Sequence, residues 1–203
     1  ATGQARADAA QAEAIARAEA RAATDLQVAR QAIEKRAAHV PAKALAKAEA
    51  QLQSTARRVD AGAEAQGNAV VATRLATEFG MSTQALLAEK AALGASWGQL
   101  MIAHALDANA TTDLTVEQLI TMHADGMGWG RIAAGLGIEL GSAVSSVNAE
   151  ARVAQGLAKA DGRVSAMRGE GARAGVRGGV TAGLGAAHGR TGVGAGLGIG
   201  IGR

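Results

Sequence analysis

The sequence predicts a mainly α protein: long Ala-rich helices, a duplicated short helix-turn-helix unit, and a Gly-rich C-terminal tail that is extended or β. Three observations predict it. Residues 4–40 carry no Gly or Pro and are dominated by Ala, Arg, Glu and Gln, all strong helix formers. Between residues 82 and 162, Ser or Thr caps alternate with Gly stops at short intervals, the punctuation of short helices. Residues 169–203 hold 14 of the 28 glycines and finish on a two-residue alternation, which is the period of a strand.

The first helix runs from about Gln4 to Val40. Four of its large apolar residues, Ile15, Leu26, Ile33 and Val40, are spaced by 11, 7 and 7 and form one narrow seam lined mostly with alanine. Pro41 disfavours helical geometry at Val40 and suits the first turn of a new helix, so the chain breaks there. The second helix shows Leu45, Leu52 and Val59 at a spacing of seven, which fits either a hairpin with the first helix or a coil with another chain. Gly62 and Gly67 then loosen the chain before a helix carrying Val70, Val71, Leu75 and Phe79, stopped by Gly80.

Shorter elements follow. Ser82 caps a helix that Gly94 ends, Ser96 caps one reaching about Ala108, and Thr115 with Gln118 forms a capping box for a helix ending near Asp125 and Gly126. A last long helix spans about Ser142 to Ala160, with Val144, Val147, Ala151, Ala154 and Leu157 or Ala158 on one face. Asp161 and Gly162 mark a turn. Three segments result: 1–61, an Ala-rich helical hairpin or coil; 62–168, a helical domain; and 169–203, an assembly tail.

Residues 83–106 and 115–138 align at an offset of 32. Thr83/Thr115, Leu87/Leu119, Gly94/Gly126, Trp97/Trp129 and Gly98/Gly130 are identical, and Leu100/Ile132 is conservative. These are the two Trp of the chain, and their shared register predicts two helix-turn-helix units that stack. Trp97, Gly98, Trp129 and Gly130 are the expected packing residues, each Trp filling the gap in its own helix pair and covering the nearby glycines. The second copy, GMGWGRIAAGLG at 126–137, resembles a GxGWGxIAxxLG helical repeat of uncharacterised exported bacterial proteins. That resemblance implies export and no known activity.

Composition narrows the functional classes. One Phe, two Trp and no Tyr leave Ala, Leu, Ile and Val to fill the interior, so backbones pack closely. Without Cys there are neither disulfides nor thiolate metal sites. No apolar run approaches the roughly 20 residues of a membrane-spanning helix. The chain opens on Ala1, which suits removal of a signal peptide before a small residue and points to an extracellular, cell-surface or periplasmic location. The net charge of +3 divides into +3 over residues 1–60, −5 over 61–140 and +5 over 141–203. An acidic middle and a basic end attract one another between copies, at a range that salt limits to about 8–10 Å.

Catalytic constellations do not emerge. His39, His104, His123 and His188 are scattered with no metal-ligand spacing, and neither a phosphate-binding loop nor a nucleophile elbow occurs. No enzyme, cofactor or metal is expected. The unit at 126–147 has the outline of a DNA-binding helix-turn-helix, but its second helix begins IELGSAVSSV and carries no base there to reach phosphates or base edges. Nucleic-acid binding is therefore a possible but not favoured function, through the basic ends of the chain.

The tail carries the functional expectation. Gly171, Gly175, Gly179 and Gly183 would form a smooth helical stripe, although Gly costs about 1 kcal/mol per position in a helix interior. From Gly192 the alternation puts Val193, Ala195, Leu197, Ile199 and Ile201 on one strand face. Such a strand needs a partner edge for its N–H and C=O groups. Val193, Leu197, Ile199 and Ile201 are the expected grips, with Gly194, Gly196, Gly198 and Gly200 permitting close approach. The sequence thus predicts a self-assembling exported structural protein, a homopolymeric filament or matrix subunit. A nucleic-acid-binding protein and an envelope-associated glycine-zipper protein are the alternatives.

Overall fold

The computed structural model describes residues 2–162 and Val164. Within them lie eight helices and no strand: α1 (Thr2–Ala37), α2 (Ala42–Gln66), α3 (Asn68–Phe79), α4 (Thr83–Leu93), α5 (Trp97–Asn109), α6 (Val116–Ala124), α7 (Trp129–Gly135) and α8 (Leu140–Ala154). The expected tail contacts, Val193, Gly194, Gly196, Leu197, Gly198, Ile199, Gly200 and Ile201, lie outside the described residues.

The short helices start and stop where their local chemistry dictates. Ser82 accepts from the N–H of Ala85, and both Ser96 with Gln99 and Thr115 with Gln118 form complete capping boxes. Pro41 stands at the N-cap of α2, and α2 runs through Gly62 before Gly67, at φ 96°, separates it from α3 by one residue. The expected 61/62 division therefore falls inside a helix.

The second helix is the spine of the body. Leu52, Ala56, Val59 and Ala63 bury one face of α2 against α5, α7 and α8, while α8 also packs on α3 and α5. Helix α4 lies on α3, and α6 bridges α5 and α7. The core joins Leu75, Phe79, Leu86, Leu100, Ile102, Leu119, Trp129, Ile132 and Val147, with small residues such as Ala72, Ala103 and Ala133 letting the helix axes come close.

Two elements differ from expectation. Helix α1 packs on α7 rather than forming a hairpin with α2. The reason is Ile33, which sits only 2% exposed where Gly135 leaves no side chain in its way. Helix α8 ends at Ala154, not near Ala160, because Gly156 turns left-handed at φ 74° and Arg74 donates to the carbonyl of Ala154. Leu157 is consequently off the buried face and 66% exposed.

Candidate functional site

Two carboxylates of α2 organise the repeat. The Gly98 N–H donates to Asp60 Oδ1 at 2.8 Å and the Ser96 hydroxyl to Asp60 Oδ2 at 2.9 Å. In the second unit the Gly130 N–H donates to Glu49 Oε2 at 2.7 Å. Both carboxylates meet the start of a helix, α5 or α7, where unpaired N–H groups and the helix dipole favour negative charge.

The glycine after each Trp exists for this contact. A Cβ on Gly98 would fall 2.5 Å from the Cα and carbonyl oxygen of Ala56, and one on Gly130 would fall 2.7 Å from the carbonyl of Leu45. Ala56 and Leu45 each precede the corresponding acid by four residues. The two units, 32 residues apart in sequence, therefore grip α2 at equivalent places 11 residues apart, about three helical turns or 16 Å.

The indoles secure the other side of each unit. Trp97 Nε1 donates to Asn68 Oδ1 at 2.7 Å, and Lys90 Nζ of α4 lies 5.4 Å over its ring. Trp129 stacks on His123 of α6 with ring centroids 4.2 Å apart. Each indole thus contacts its own helix pair, but the adjacent glycines are covered by α2. The register of the units also slips by one residue at its start. Ser82 and Thr115 are the matching caps, and buried Leu86, not Leu87 at 40% exposure, occupies the place of Leu119.

The histidines do not converge. His39 is exposed beyond the end of α1, while His104 is buried, stacked on Phe79 with Nε2 2.9 Å from Glu89 Oε2. Phe79 supplies an interior ring partner, so His104 is part of the core rather than of the surface. His123 has its Nδ1 3.1 Å from the Met127 carbonyl. Among the described residues, no three His, Asp or Glu side chains are placed to hold a metal ion. Glu78, 1% exposed, accepts the N–H groups of Asp161 and Gly162 at 2.7 and 3.1 Å, pinning the segment after α8 onto α3.

The first helix offers the largest uncovered element. Its 36 residues span about 54 Å, and every residue from 9 to 25 is exposed. Anchoring comes from its last third: Ile33 against Gly135 of α7, Arg30 to Asp125 Oδ2 at 3.1 Å, and Arg36 donating to the Gly135 carbonyl at 3.3 Å. Ile15 belongs to the same seam as Ile33 yet is 51% exposed. No single helix among the described residues is long and apolar enough to cross a membrane. No family model, curated protein or solved structure matches the chain.

Proposed function

We propose that this chain is an exported structural protein that assembles with copies of itself into a filament or extracellular matrix polymer. The helical body serves as a rigid block. The Gly-rich tail packs between subunits through Val193, Leu197, Ile199 and Ile201, with Gly194, Gly196, Gly198 and Gly200 allowing backbones to meet. No catalytic role is assigned to any residue.

The observation that carries this proposal is the bare stretch of α1. An Ala-lined seam that is buried at Ile33 and continues uncovered to Ile15 is an element with packing surface left over. The carboxylates between helices support a structural role as well. Glu49, Asp60 and Glu78 are all bonded to backbone N–H groups of neighbouring segments, so their chemistry is used in holding helices together. Sedimentation and negative-stain microscopy of the full chain against a chain lacking 190–203 test the role of the tail. The full chain should form large species and the truncated chain should remain small and helical; equal assembly by both overturns it.

The helix-turn-helix alternative gains little from α7 and α8. The two helices bend by 120° as in such units, yet α8 turns Ala143, Val147, Ala151 and Ala154 into the core. Its exposed positions include Ser142, Ser145, Ala149 and Arg152, a poor set for reading base edges.

A further inference from the structure

The inward turn of Glu49 and Asp60 leaves a second consequence on the opposite side of α2. Lys43, Lys47, Arg57 and Arg58 are all exposed and, at 3.6 residues per turn, fall with Ser54 within one arc of about 100°. Among the described residues, none of these four cations is in an ion pair. The acids that would neutralise the helix are instead held by the N–H groups of Gly98 and Gly130. Glu64 ends the strip, and Glu139, beside Val40, borders its beginning.

Helix α8 extends this surface. Thr55 donates to Asn148 Oδ1 at 2.8 Å, and Gly62 faces Gln155, so α2 and α8 run side by side in parallel at a constant offset of 93 residues. Arg58 Nη2 donates to Thr55 Oγ1 at 2.9 Å and to Asn148 Oδ1 at 3.1 Å. These neutral acceptors fix the guanidinium at the seam without cancelling its charge, and Nε and Nη1 take no part in them. One turn beyond Asn148, exposed Arg152 adds a fifth cation at the level of Val59.

We infer that this α2/α8 strip binds the phosphate backbone of nucleic acid without regard to sequence. From Lys43 to Arg58 the helix rises about 22 Å. Duplex DNA, with one charge per about 1.7 Å of axis, presents about a dozen phosphates over that length. The strip has no aromatic side chain to stack on bases, which restricts recognition to the backbone. It also lacks the Trp, Phe or Leu that an interfacial helix sinks into a lipid surface, so a linear polyanion fits it better than a membrane. This surface is distinct from the tail contacts, and nucleic-acid binding stands or falls separately from self-assembly.

The test is fluorescence anisotropy of a labelled mixed-sequence DNA duplex titrated with the full chain over a range of salt concentrations. The Lys43→Ala/Lys47→Ala/Arg57→Ala variant is compared with an Arg17→Ala/Arg21→Ala variant on the bare part of α1, with circular dichroism verifying that both stay helical. Among the described residues the first three side chains make no hydrogen bond, so their removal spares the fold. The strip variant should bind at least tenfold more weakly, with a salt slope shallower by about 3, since each phosphate contact contributes about 0.9. The α1 variant and a scrambled duplex should behave as the unaltered pair. Absence of binding, an unchanged slope in the strip variant, or capture by phosphatidylserine vesicles with no affinity for DNA would each overturn the inference.

Discussion

Asp60 and Gly98 define the smallest unit of this protein: a carboxylate on one helix, a glycine on the next, and an N–H between them at 2.8 Å. Glu49 and Gly130 repeat it at 2.7 Å. Gly98→Ala should destabilise the body by about 1–3 kcal/mol, because the new methyl meets the backbone of Ala56 rather than a movable side chain. Asp60→Ala should cost a similar amount, about 1–3 kcal/mol, by stranding the Gly98 donor at the helix start. Arg17→Ala, which removes only an exposed pair with Glu13, should change stability by less than about 0.5 kcal/mol. Urea unfolding followed by circular dichroism ranks the three. Equal effects would mean that the α2 contacts contribute no more than a surface pair. The Trp-Gly dipeptides stand out in the sequence because they recur in register. Their acidic partners were not, since Glu49 and Asp60 look like ordinary solvated residues until the fold brings the glycines to them.

At the scale of elements, the legible features were those fixed by neighbours in sequence. Ser82, Ser96 with Gln99, and Thr115 with Gln118 begin helices through contacts within four residues, and Pro41 separates α1 from α2 by its own geometry. The misread features depend on distant partners. Gly62 sits inside α2, and α8 stops early where Arg74, 80 residues before Ala154, reaches its carbonyl. Helix α1 chooses α7 because Gly135 accommodates Ile33, a preference no seven-residue spacing can report. Ile33→Ala should therefore loosen α1 while sparing the rest. Hydrogen exchange should quicken across residues 26–37 and stay slow in α5 and α8, whereas uniform quickening would show that α1 and the body unfold together.

At the scale of the molecule, the described body uses its interior for packing and leaves two surfaces unaccounted for by that packing. One is the seam of α1 from residue 9 to 25, and the other is the cationic strip of α2. The mainly α class was legible from composition, since a chain with this much Ala and so few aromatics fills its core by bringing helix backbones together. The central role of α2 was not, because its apolar spacing fits a two-helix coil as well as a spine shared by α5, α7 and α8.

Hydrogen-exchange mass spectrometry of the full chain, dispersed and assembled, tests self-assembly through the α1 seam and the Gly-rich tail most directly. Assembly should slow exchange at residues 9–25 and 190–203 and leave α5 and α8 as they are in the dispersed chain. New protection confined to the helical body, with both extensions exchanging as fast as before, would contradict the account.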